Sequence, residues 1–133
     1  AILNHEGIKF VGFQKDVRPF FKAADALVFP SYREGFPNVV MQAGAMGLPS
    51  IVTDINGCNE IIIEGKNGVI IPSRDRKALL EQMSYFITNR TAVEEMARQS
   101  RNLISSRFEQ SKVWQATLEM YQSLEKESCI KEE

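Results

Sequence analysis

Glu34, Gly35, Pro37, Asn38 and Gln42 are the residues of this 133-residue chain whose types and spacing could do chemistry, and with Ser31 they fall inside one stretch, Pro30–Gly47, PSYREGFPNVVMQAGAMG. A carboxylate at position 34 can accept several hydrogen bonds from a polyol. Gly35 beside it permits backbone torsions and a close ligand approach that other residues resist. Asn38 has the side chain of a helix N-cap, and from Val39 to Met46 every residue except Gln42 is apolar or small, the composition of a helix buried nearly all round. The first turn of such a helix leaves backbone N–H groups unpaired and adds the positive end of the macrodipole, so phosphate groups settle there. The same residues would also make an ordinary strand-to-helix turn, and these rules alone leave both readings open.

The elements that must hold this stretch read as an α/β domain. Ala26–Phe29 before it is a short apolar run suited to a strand covered on both faces. Ser50–Thr53 and Val69–Ile71 are two more, and Ile8–Phe13 reads as another, which predicts a partial Rossmann-like parallel sheet of about four strands with flanking helices. Asp16 is placed to cap a short helix with Pro19 in its first turn and Val17, Phe20, Phe21 and Ala24 as its stripe. A brief helix is expected over Asn59–Glu64. Ligands of such sheets bind at the carboxyl ends of the strands, and Glu34 and Asp54 each follow such an end.

Beyond Ser73, read as a cap, the chain is helical. The expected stripes are Leu79, Leu80, Met83, Phe86 and Ile87; then Val93, Met96, Ala97, Leu103 and Ile104; then Trp114, Thr117, Leu118, Tyr121 and Leu124, all read as core because their period explains them. Residues 1–109 form one partial domain in this reading, and 110–133 a C-terminal helix with a charged, frayed tail. Ala1–Gly7 reads as the end of a helix entering a loop, with His5 an incidental surface residue.

Composition excludes several classes. A net charge of −1 gives no bulk attraction for nucleic acid or an anionic membrane, so any phosphate must be met locally. Cys58 and Cys129 have no metal or redox spacing and read as reduced thiols. No run is long and apolar enough to span a membrane and no leader pattern is visible, so the expected setting is the cytoplasm, with the inner membrane face as an alternative for the full-length protein.

Glu34-Gly35-Phe36-Pro37, with position 42 eight residues after the glutamate, resembles the signature of family 4 of the retaining glycosyltransferases, enzymes of the GT-B fold. Val11-Gly12-Phe13, Pro30-Ser31, Gly47-Leu48-Pro49, Gly57 with Glu60, Asn67-Gly68, Pro72 and Arg107-Phe108 follow the same family's order. Gln42 departs from it, for the family has a second glutamate there.

The resemblance implies a donor-binding part of an enzyme that moves a hexose from a UDP- or GDP-type nucleotide-sugar to an acceptor with retention, without a metal or other cofactor. Glu34 would lie beside the hexose and hold developing charge. Ser31 would belong to the donor loop, backbone N–H groups of Gly35, Phe36 and Asn38 beside Pro37 would meet sugar hydroxyls, and those of Val39 and Val40 the diphosphate. Position 42 would reach the ribose. Gly57 and Glu60 would line the donor site, although a turn and a capped short helix explain the same pair. The carbohydrate or lipid-linked acceptor would be held by an amino-terminal domain, and the arginine and lysine on the diphosphate would come from the start of the donor domain, both outside these residues, so the chain alone is expected to be inactive and to self-associate through an open sheet edge. A non-catalytic nucleotide- or sugar-binding or interaction module and a GT-B nucleotide-sugar epimerase are the alternatives.

Overall fold

A computed structural model describes residues 5–130, with side chains through residue 125. Among the described residues three strands, β1 (Leu27–Phe29), β2 (Ser50–Thr53) and β3 (Gly68–Ile71), form a parallel sheet in the order β1-β2-β3. Six helices among the same described residues accompany them: α1 (Arg18–Ala23), α2 (Asn38–Ala45), α3 (Cys58–Ile61), α4 (Arg76–Thr88), α5 (Arg90–Phe108) and α6 (Gln110–Ile130). The α/β class and the helical carboxyl-terminal end stand as expected.

β2 is buried along its whole length and β3 nearly so, which is why they read as continuous apolar runs rather than alternating ones; the edge strand β1, expected to be covered on both faces, leaves Val28 exposed. Val52 of β2 packs with Val40, Cys58, Ile61, Ile62 and Ile104 on the side of α2 and α3. Its neighbour Ile51 points the other way, among Val69, Ile71, Phe86, Val93 and Met96. Helix α5 serves both layers, with Val93 and Met96 on one side and Ile104 on the other. Each of these large side chains contributes roughly 1.5–3 kcal/mol by leaving water. Close contact between α2 and α5 depends on Gly44, where an added Cβ would come within 2.6 Å of Ile104 Cγ1.

Several expectations are corrected. Ile8–Phe13 is not a strand: it has no ladder partner among the described residues, and Phe10 and Phe13 are 72% and 90% exposed. A strand is a paired structure, and apolar composition without a neighbour does not make one. Asn38 is the first residue of α2 rather than its cap; Pro37 occupies the N-cap position and no side chain caps it. Ser73 likewise yields to Asp75, whose carboxylate accepts the N–H groups of Lys77 at 2.9 Å and Ala78 at 3.0 Å. The brief third helix ends at Ile61, short of Glu64.

The stripe of α6 is not core. Trp114, Leu118 and Tyr121 are 64%, 51% and 60% exposed, and in α4 Leu80 and Ile87 are also exposed while Phe86 is buried. Periodicity reports that a helix has an apolar face, not that anything covers it. The expectations for Ala1–Asn4 and for the last three residues lie outside the described residues, while the backbone of α6 is helical through Ile130.

Candidate functional site

The stretch that opens at Pro30 leaves the carboxyl end of β1 and returns through α2. Ser31 is half-buried at its base, and its hydroxyl donates to Glu34 Oε1 at 2.8 Å. The other carboxylate oxygen of Glu34 has no hydrogen-bond partner among the described residues. Glu34 is therefore a half-buried acceptor held from one side and open on the other.

Next to it, α2 starts without a side-chain cap. Val40 N–H donates to the Pro37 carbonyl at 3.1 Å and Met41 N–H to the same oxygen at 3.4 Å. The amides of Asn38 and Val39 precede this ladder and have no partner among the described residues. Val40 N–H, expected beside that of Val39 on a diphosphate, is thus engaged within the helix. The free donors at this end are those of Asn38 and Val39, with Gly35 and Phe36 before them. Pro37, buried and carrying no N–H, fixes the entry angle without adding an orphan donor.

The loop after β2 closes on this one. Gly57 has φ +77°, and a Cβ there would overlap the Gly35 carbonyl oxygen and lie 2.8 Å from Pro37 Cδ and 2.9 Å from Phe36 Cα. Gly57 N–H donates to Glu60 Oε1 at 3.2 Å, so the Glu60 carboxylate acts as a reach-back cap for the first turn of α3. Asp54, at the end of β2, accepts Asn59 Nδ2 at 2.9 Å and is occupied with the same loop. The structure thus brings together Ser31, Glu34–Val39, Gly57 and Glu60.

Two supports for these loops lay outside the candidate residues. Cys58, the first residue of α3, is fully buried, and burial together with the negative charge of Glu34 pushes its thiol up to about 11. Arg107, near the end of α5, donates to the backbone carbonyls of Glu60 and of Ile61, the latter at 3.3 Å, and lies 4.6 Å over the ring of Phe108. Phe108 in turn meets Phe36 edge to face with ring centroids 5.4 Å apart. The Arg107-Phe108 pair was visible in the sequence as part of the family order, but nothing local announced that it would anchor Phe36.

Gln42 lies one face away. It is exposed and lines a groove of about 450 Å³ with Lys15, Arg18, Phe21, Ala45 and Met46. Two cations, Lys15 and Arg18, therefore share its groove. Arg18 is spent largely on Asp16, bonding both carboxylate oxygens at 2.8 and 2.9 Å and holding that carboxyl below its ordinary range. Among the described residues no group of histidine, cysteine and carboxylate side chains is arranged to hold a metal, and no helix is long and apolar enough to cross a membrane.

The chain is 30% identical over 127 residues to the capsular polysaccharide biosynthesis glycosyltransferase CapM of Staphylococcus aureus, covering 96% of the chain and 33% of that protein. It is 28% identical over 114 residues to the N,N'-diacetylbacillosaminyl-diphospho-undecaprenol alpha-1,3-N-acetylgalactosaminyltransferase of Campylobacter jejuni, covering 80% of the chain and 30% of that enzyme. The chain thus spans about a third of the length of these relatives. Among solved structures, Anabaena Alr3699/HepE in complex with UDP-glucose superposes with a TM-score of 0.83 at 24% identity, covering 89% of the chain and 33% of that protein. That likeness shows that the chain has the fold of part of a GT-B structure. Residues 1–89 match the family described as Glycosyl transferases group 1, and with 89 of its 133 residues inside that pattern the chain belongs to the group 1 glycosyl transferases.

Proposed function

We propose that the chain is the donor-binding part of a retaining glycosyltransferase that moves a hexose from a nucleotide-diphospho-sugar to a carbohydrate or lipid-linked acceptor. The observation that carries this reading is the pairing of a half-buried, one-side-open carboxylate, Glu34, with the unpartnered amides of Asn38 and Val39 at the start of α2. A carboxylate recognises the hydroxyls of a hexose, and a helix N-terminus stabilises the negative charge that accumulates on a departing nucleoside diphosphate. Relatives named for UDP-glucose binding and for a diphospho-undecaprenol acceptor support the donor and acceptor classes.

In this role the loop and helix bind and orient. Glu34 accepts hydrogen bonds from sugar hydroxyls and faces the positive charge that develops at the anomeric carbon. The amides of Gly35, Phe36, Asn38 and Val39 meet hydroxyl and phosphate oxygens, and Gln42, with Lys15 in its groove, faces the ribose side. The bond from the anomeric carbon to the phosphate oxygen breaks as the acceptor oxygen bonds to the same face, and the leaving phosphate takes the acceptor proton. No metal is required by this scheme. The acceptor site and the cations opposing the diphosphate are supplied by other parts of the complete protein, so the chain alone is inactive.

The test uses the complete gene product with UDP-glucose, UDP-N-acetylglucosamine, UDP-galactose and GDP-mannose. One donor is expected to give a product whose anomeric configuration, read by NMR, matches the donor, and Glu34→Ala lowers kcat by roughly 100-fold. An inverted product, or an unaffected Glu34→Ala variant, contradicts the reading. The one observation favouring a non-catalytic binding module is Gln42, since an amide replaces the charged partner of a ribose.

A further inference from the structure

Thr53 ends β2, pairs in register with Ile71 of β3 and is 2% exposed. Its hydroxyl does not stay within the sheet. It donates to the backbone carbonyl of Ser31, two residues beyond the end of β1, where the β1–β2 ladder has stopped at Phe29 and Val52. Among the described residues this is the only hydrogen bond between the Ser31–Gly35 segment and the sheet. Ser31 then passes the constraint on, its own hydroxyl donating to Glu34 Oε1 at 2.8 Å.

The chemistry of this chain is directional. A threonine hydroxyl rotates freely unless an acceptor fixes it, and here the acceptor is a carbonyl that the strand ladder no longer satisfies. Fixing that carbonyl fixes the Ser31 peptide, and with it the direction from which the Ser31 hydroxyl approaches Glu34. The carboxylate is then turned so that one oxygen is held and the other is free. A loop carboxylate without such a support would sample several rotamers and lose the pre-organisation on which its interaction with a ligand depends.

We propose that Thr53 is a positioning residue: acting through Ser31, it fixes the Glu34 carboxylate in the orientation that recognises the donor hexose. This rests on the donor-site reading of Glu34. Valine at 53 keeps the shape and burial of threonine but removes the hydroxyl, and serine restores it.

The experiment is calorimetric titration of the complete gene product with a nucleotide-sugar and with its matching nucleoside diphosphate, using whichever of UDP-glucose, UDP-N-acetylglucosamine, UDP-galactose and GDP-mannose binds most tightly. The ratio of the two affinities isolates what the sugar adds. Thr53→Val is expected to reduce that ratio about fivefold while leaving the affinity for the nucleoside diphosphate within about twofold, and Thr53→Ser to restore most of it. In a Glu34→Gln background, Thr53→Val changes the ratio no further, because both substitutions act on one interaction. A Thr53→Val variant with an unchanged ratio overturns the proposal. So does an equal loss in both backgrounds, or a parallel loss of nucleoside diphosphate affinity, which would mark a general structural role. If Glu34→Gln itself leaves the ratio untouched, or none of the sugars binds, the donor-site reading fails, and the proposal with it.

Discussion

Gly57 sits against the backbone of Gly35, so close that a Cβ on residue 57 would overlap the Gly35 carbonyl oxygen. This contact joins the loop after β2 to the loop after β1. At φ +77° the position is also in the left-handed region that disfavours a side chain. Gly57→Ala therefore carries both strain and overlap with backbone that cannot rotate away. A loss of about 2 kcal/mol or more is expected in denaturant unfolding, with weakened donor binding; a change below about 0.5 kcal/mol would show that the two loops are not in contact.

Gln42 shares its groove with Lys15 and Arg18. An amide carbonyl can accept a ribose hydroxyl, but a carboxylate accepts it more strongly. Gln42→Glu is expected to tighten nucleotide binding by roughly fivefold, the equivalent of about 1 kcal/mol, as measured by calorimetry on the complete gene product. Unchanged or weaker affinity would count against a ribose role for position 42.

Cys58 provides a probe of the Glu34 carboxylate that needs no ligand. Its thiol titrates at about 11 in the folded chain, raised first by burial and then by the charge of Glu34, against an ordinary value of 9.0. Because the folded value is raised, folding favours the protonated thiol. The contribution to stability is complete below about pH 9 and is lost as pH rises toward about 11, with a slope of at most about 1.4 kcal/mol per pH unit. In a Cys129→Ser background the remaining thiol should resist iodoacetamide at neutral pH, and Glu34→Gln should lower its apparent pKa part of the way. A thiol that reacts at the rate of an unfolded control would contradict the burial, and an unmoved pKa would contradict the proximity to Glu34.

Much of this was legible in the sequence, and the reasons differ by element. β2 was read with its boundaries because Ser50–Thr53 is a short apolar run between turn residues, buried on both faces. The Glu34 loop and Gly57 were legible as a family order. The bond between Thr53 and Ser31 was not, since it spans 22 positions and no local pattern encodes it. Asn38 misled because cap propensity is a preference, and Pro37 took the cap position through its extended backbone. Ile8–Phe13 and the α6 stripe misled in the same way: both are apolar segments, and whether a segment is paired or covered depends on neighbours outside itself.

The uncovered surfaces have a consequence. β1 is an edge of the sheet, and the groove beside it exposes Val28 and Ile87, while α6 exposes Trp114, Leu118 and Tyr121. A preparation of these 133 residues alone is expected to self-associate. Light scattering should report a mass above that of a monomer, reduced by Trp114→Glu with Leu118→Glu. A clean monomer at every concentration would remove this expectation.

The central claim is that the Glu34 loop and the start of α2 hold the donor. Hydrogen–deuterium exchange on the complete gene product, with and without a saturating nucleotide-sugar, tests it most directly. Protection is predicted in the peptides covering residues 31–42 and 55–60, and is lost from the first of these in Glu34→Ala. Protection confined to other segments, or unaltered in that variant, would contradict it.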